Sequence, residues 1–213
     1  MIMVAFLFKW FHLLFGITWI GLLFYFNFVQ AEYFKKASAE ALVDVKTHLV
    51  TKALAWFRWS AFATFVTGFV LFGLVGAQRV TNDFIVVGGI LGTIMFLNVF
   101  LIIWPNQKIA LGLVDGDTAA AGAKAALASR TNVLFSATVV FCMLASPHLG
   151  YSQEHLLSGN GSSLGLLLSL GVIAVAQLNA MFGKMLRPLA TVRGVIHLSL
   201  ALAVIIYCLL SYL

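Results

Sequence analysis

Charge is scarce in this chain. Of its 213 residues only 9% are Asp, Glu, Lys or Arg, while 62% are hydrophobic; a soluble domain carries about 25% charged residues. A chain this short and this apolar has too little polar surface to face water, so lipid is its solvent. The formal net charge of +6 does not point to nucleic acid, because so few charges make no basic face. Cysteine is nearly absent as well. Cys142 and Cys208 sit in separate apolar runs, with no CxxC, CxxCH or zinc-type spacing, which argues against disulfides, structural zinc and covalently attached c-type haem. No Asp or Glu falls inside a long apolar run. That argues against a carboxylate proton relay and a carboxylate-rich metal site.

What remains is long hydrophobic runs. A bilayer core of about 30 Å needs about 20 apolar residues of helix. Six segments meet this: Trp10 to Val29, Trp56 to Val75, Phe84 to Trp104, Val133 to Pro147 extended back through Thr131, Leu164 to Phe182, and Gly194 to Leu213. The expected fold is all-α, a polytopic bundle of about six transmembrane helices, read as one domain over 1–213 because no linker divides it. Lys9 and Trp10 interrupt the first apolar residues and no small-x-small site follows. The N-terminus therefore reads as a retained first span, not a cleaved signal peptide.

The basic residues alternate between loops. Lys35, Lys36, Lys46, Lys52 and Arg58 fall in the first, Lys108, Lys124 and Arg130 in the third, and Lys184, Arg187 and Arg193 in the fifth: eleven of thirteen, with only Arg79 in the second loop and none in the fourth. By the positive-inside rule, both termini are expected outside, in the periplasm of a bacterial inner (plasma) membrane. Residues 32–52 have helical periodicity and either extend the first two helices or lie on the membrane surface. Residues 108–128 read as a turn at Asp115-Gly116-Asp117 and a weakly amphipathic helix. Trp104-Pro105-Asn106 reads as a helix stop, and Gly150–Ser163 as an exposed turn. Gly88, Gly89 and Gly92 serve either packing within the chain or a contact between copies in an oligomer.

Polar groups inside a bilayer are costly and mark candidate sites. The five histidines are His12, His48, His148, His155 and His197. Imidazoles without nearby carboxylates, in an apolar bundle, suit haem b, whose iron takes such ligands and whose ring needs an apolar slot. His12 shares a helix face with Gly16 and Trp19. Either Gly16 leaves room for a macrocycle beside His12, or it allows close helix packing with an interfacial histidine above it. His148 follows Pro147 at the outer end of the fourth span and pairs with His12 only if that helix enters at Lys9; entry near Val4 strains the pairing. His197, one turn past Arg193, and His48, before the second span, form either an inner pair or ordinary interfacial contacts. His155 reads as solvated. Arg58 and Arg130 match haem propionates or a substrate carboxylate, and positive-inside anchoring explains them equally. Asn98 reads as an interhelical hydrogen bonder.

The string from His12-Leu-Leu-Phe-Gly-Ile-Thr-Trp19 to Gln30 resembles the opening of the transmembrane domain of membrane-bound bacterial urate oxidases (urate hydroxylases). Ala55-Trp-Phe-Arg-Trp-Ser60, Asn98 through Trp104-Pro-Asn-Gln-Lys108, and Ala128-Ser-Arg-Thr-Asn132 running to Ala145-Ser-Pro-His148 are similar to its later spans. The likeness is strongest over residues 8–150. A more distant one, to the membrane-embedded protoporphyrinogen oxidases, rests on the His12-to-Trp19 pattern. The resemblance implies one or two b haems, His12 as a ligand, and oxidation of a small substrate such as urate. The family typically appends a cytochrome c domain, and no CxxCH occurs here, so a separate cytochrome c or respiratory complex is the implied acceptor. Two other functions stay open: a non-catalytic accessory or electron-transfer subunit, and, less well supported, a small-molecule transporter, which usually needs broken helices and intramembrane charge.

Overall fold

The computed structural model describes residues 2–77, 81–149 and 164–213. Six helices are long and apolar enough to cross a membrane: α1 (Ile2–Phe34), α2 (Ala39–Ala77), α3 (Asp83–Ala110), α4 (Thr118–Leu149), α5 (Leu164–Phe182) and α6 (Val192–Tyr212). No strand occurs among the described residues. The chain is a multi-pass membrane protein, all-α as expected. Arg79, His155 and the expected turn at Gly150–Ser163 lie outside the described residues.

The helices are longer than the apolar runs. At 1.5 Å per residue the 39 residues of α2 span about 58 Å, nearly twice the hydrocarbon core. Residues 32–52 therefore extend α1 and α2 beyond the bilayer, with Ser38 capping α2 by accepting from Ala41 N at 3.3 Å. The weak amphipathic helix expected before the fourth span is instead the first turns of α4, which Asp117 caps through bonds from Ala119 N and Ala120 N, both 3.0 Å. Trp104-Pro105-Asn106 does not stop α3 either: the helix runs on to Ala110. A π-helical turn at Asn98–Ile103 widens the ladder just before the proline, whose nitrogen cannot donate.

α4 is the central element. It packs against α3 and α6 along its length and touches α1 and α5. Its contacts with α3 are antiparallel: Asn82 Nδ2 donates to Ser146 O at 3.1 Å, and Gly88 lies against Cys142 and Met143. Its contacts with α6 are parallel. Ser199 Oγ donates to Val133 O at 2.9 Å and accepts from Ala137 N at 3.2 Å, so one hydroxyl is inserted into a backbone turn of α4. α1 is peripheral and packs mainly on α2; Trp19, Leu23 and Asn27 are its buried residues. Gly88 and Gly89 meet Met143 and Phe72, and Gly92 meets Val139, so these glycines serve packing within the chain.

The loops richest in Lys and Arg gather at one end of the bundle, called here the basic end. Arg58, Trp59 and Trp104 mark it: the Arg58 guanidinium stacks 4.0 Å above the Trp104 ring and 5.4 Å from Trp59. Tryptophan and arginine favour this level because an amphipathic ring and a snorkelling cation both suit the headgroup region.

Candidate functional site

Two seams hold the interior polar groups that bear on a site. The first joins α1 to α2 and α4. His12, half-buried on α1, faces Thr64 and Thr67, which share one face of α2 by their spacing. Its Nδ1 lies 2.9 Å from the Thr64 carbonyl and 3.1 Å from Thr67 Oγ1. A carbonyl only accepts, so Nδ1 carries the proton; Thr67 can accept as well, because its own hydroxyl donates to Ala63 O at 2.7 Å. The tautomer follows from this geometry. Nε2 keeps its lone pair and makes no hydrogen bond among the described residues. The ring is seated on Gly68: a Cβ there would come within 2.8 Å of His12 Cε1.

Nearer the basic end, Asn27 Nδ2 donates to Ser129 Oγ at 2.7 Å and to Leu23 O at 2.8 Å, tying α1 to α4 at the π-helical turn Tyr25–Gln30. Three buried polar atoms on this seam lack a hydrogen-bond partner: Trp19 Nε1, Gln30 Oε1 and Arg130 Nη1. Arg130, beside Ser129, is 7% exposed.

The second seam joins α3, α4 and α5 through three amides. Asn98 Nδ2 donates to Asn132 Oδ1 at 2.8 Å and to Gln177 Oε1 at 2.9 Å; Gln177 Nε2 donates back to Asn98 Oδ1 at 2.6 Å, and Asn132 Nδ2 to Met95 O at 3.0 Å. This network is complete, so it rigidifies the bundle and leaves no group free for a ligand.

The expected histidine pairs are not brought together. His12 packs on Gly68, and Phe72, four residues further out on α2, packs on Gly89 of α3. The neighbouring Gly88 abuts Met143 of α4, and His148 lies five residues beyond Met143. Four residues on α2, one on α3 and five on α4 put the two imidazoles about 15 Å apart in level, His148 at the exposed end of α4. α1 begins at Ile2, which is the arrangement in which this pairing is strained. His48 sits on the projecting part of α2 with Nε2 3.9 Å from Asp44 Oδ1, both highly exposed. His197 is on the outer face of α6, two residues from the Ser199 that faces α4. No cluster of three metal-ligating side chains occurs among the described residues.

Gly16 is not a slot. A Cβ there would meet only Thr64 Cγ2, at 3.9 Å, an ordinary packing distance. The close glycine is Gly68, which the sequence reading passed over although Thr64, Thr67 and Gly68 stand at helical spacing opposite His12. Gln177, Asn27 and Gln30 were passed over too; their signal was amide side chains in or bordering apolar runs. An apolar groove of about 520 Å³ opens between α1 and α2, lined by residues including Gly21, Ala53, Lys52 and Trp56, and His12 is not among them. The fit to a haem is therefore partial: His12 is one imidazole with a fixed tautomer and a free Nε2 that could serve as a ligand, and the described histidines do not bring a second beside it.

A family comparison matches the description "Urate oxidase N-terminal" over residues 76–207. The chain belongs to the urate oxidase N-terminal family. The match starts at the end of α2 and covers Arg130, His148, His197 and the amide triad of this family member; His12, Trp19 and Arg58 lie before it. No curated protein and no solved structure matches the chain.

Proposed function

We propose that this protein is a membrane-embedded b-type haem redox protein of the bacterial inner membrane, with both termini periplasmic and residues 1–213 forming one domain. It takes electrons from a small substrate, urate by kinship, and passes them to a cytochrome c or a respiratory complex. The observation that carries this reading is the state of His12. Iron-ligating histidines hold one ring nitrogen on a carbonyl or carboxylate, which fixes the tautomer and aims the other nitrogen at the metal. Thr64 O and Thr67 Oγ1 do this for Nδ1, and Gly68 provides the flat seat. A haem bound there supplies one-electron redox chemistry. The protein's part is to orient the imidazole through Thr64, and to hold the bundle rigid through Asn98, Asn132 and Gln177.

The test is a reduced-minus-oxidised spectrum with a pyridine haemochrome assay on purified protein. A b-type signal that His12→Ala abolishes is the expected result. An unchanged Soret band in His12→Ala refutes the ligand, and no haem in protein made with ample haem supply refutes the redox reading.

A further inference from the structure

Arg130 is a buried cation without a counterion in contact. Asn132 pairs with Asn98, and Arg130 lies two residues nearer the basic end, while Trp104 is six residues beyond Asn98. Arg130 is thus about 6 Å inside the Arg58–Trp104 level. An arginine at that depth normally snorkels to the headgroups, but Arg130 is 7% exposed, so protein covers it. It makes no hydrogen bond or ion pair among the described residues, and Nη1 is fully enclosed. Glu32 is the nearby acid, yet its carboxylate is held by Lys35 Nζ at 2.6 Å and is 45% exposed. Arg58, by contrast, is engaged by the Trp104 ring. A guanidinium taken out of water costs several kcal/mol unless an anion meets it, and its fork matches two oxygens of one group.

We infer that Arg130 is the binding group for an oxoanion, a carboxylate or a phosphate, seated where α1 meets α4 near the basic end. The inference does not depend on His12 holding iron. Three sources share this chemistry: a soluble anion, a phospholipid headgroup and a porphyrin propionate.

The experiment is the melting midpoint of the full chain in mild detergent, titrated with acetate and with inorganic phosphate at constant ionic strength in chloride. Delipidated, phosphatidylglycerol-supplemented and haem-loaded samples are run in parallel. The expected result is a saturable rise of a few degrees in the wild type, absent in Arg130→Met and retained in Arg58→Met and Glu32→Gln. Arg130→Lys keeps the charge but loses the fork, and its half-saturation should weaken about tenfold. A rise with soluble anions identifies a soluble ligand. A rise with phosphatidylglycerol alone identifies a lipid phosphate. A response to soluble anions that vanishes on haem loading identifies a propionate. Arg130→Met should fold, because replacing an unpaired buried charge by an apolar chain is neutral or stabilising. No saturable rise in any wild-type sample, or an equal rise in Arg130→Met, overturns the inference. So does loss of the response in Glu32→Gln, which would make Glu32 part of the effect.

Discussion

Replacing Gly68 by alanine adds one methyl group where α2 is closest to an imidazole. The new Cβ would stand 2.8 Å from His12 Cε1 and 3.3 Å from Nδ1, whereas carbon atoms rest at about 3.5–4.0 Å. The ring must retreat by about 0.7–1.2 Å. That stretches the 2.9 Å bond from Nδ1 to Thr64 O past the hydrogen-bonding range. The lost bond costs about 0.5–1.5 kcal/mol and the overpacking about 1–3 kcal/mol. Against this, glycine to alanine in a helix gains about 1 kcal/mol. The net expectation is a loss of about 0.5–3.5 kcal/mol. In a His12→Ala background there is nothing to clash with, so the same change should stabilise by about 1 kcal/mol. The sign reverses between the two backgrounds, and the cycle yields a coupling of about 1.5–4.5 kcal/mol. Equilibrium unfolding of the four proteins in mixed micelles measures it, with no need of cofactor or substrate. If Gly68→Ala stabilises both backgrounds equally, the imidazole is not seated on Gly68 and the reasoning about its free nitrogen fails with it.

Three further outcomes follow from the packing. Asn98→Leu leaves Asn132 Oδ1 and both amide atoms of Gln177 without their partner. It should cost about 2–6 kcal/mol for three bonds at about 0.6–2 kcal/mol each; a change below about 0.5 kcal/mol in the same unfolding assay would refute the triad's role. Gly165→Ala puts a methyl group into the carbonyl oxygen of Leu209, backbone that cannot rotate away, so α5 must part from α6 and the melting midpoint should fall by several degrees. Arg58→Lys keeps the charge but loses the flat stack on Trp104, worth about 0.5–1 kcal/mol, and should shift the tryptophan emission; an unaltered spectrum and midpoint would show the stack to be idle.

Hydropathy read the number of crossings correctly, because run length reports the solvent a helix meets. It could not report where helices end in water. Residues 32–52 are rich in charge and residues 118–128 rich in alanine, so neither reads as a span, yet apart from the turn at 35–38 they are helical and lengthen α1, α2 and α4. Nor could it report neighbours. Lipid is as apolar as a leucine core, so which face packs is carried by small and polar residues. His12 was legible as a lone imidazole in an apolar run, but its partners Thr64, Thr67 and Gly68 are 52 to 56 residues away, and only the fold joins them. Asn98 was legible for the same reason as His12, and Gln177 closes its network from a helix 79 residues further on. The pairing of His12 with His148 rested on equal depth, and depth is set by where α1 begins, which Lys9 and Trp10 do not mark.

The tight pairing of α1 with α2, set beside the few contacts these two make with the rest, bears on the order of assembly. Synthesis runs at about 5–20 residues per second, so the 67 residues from Asp83 to Leu149 take roughly 3 to 13 s to follow. Inserted helices pack in the membrane after each is already formed. The first hairpin, with the imidazole on its glycine seat, is therefore complete before α4 arrives to close over it. Whatever reaches His12 can do so during synthesis, before the later helices pack against the hairpin, without ever prising the finished bundle apart.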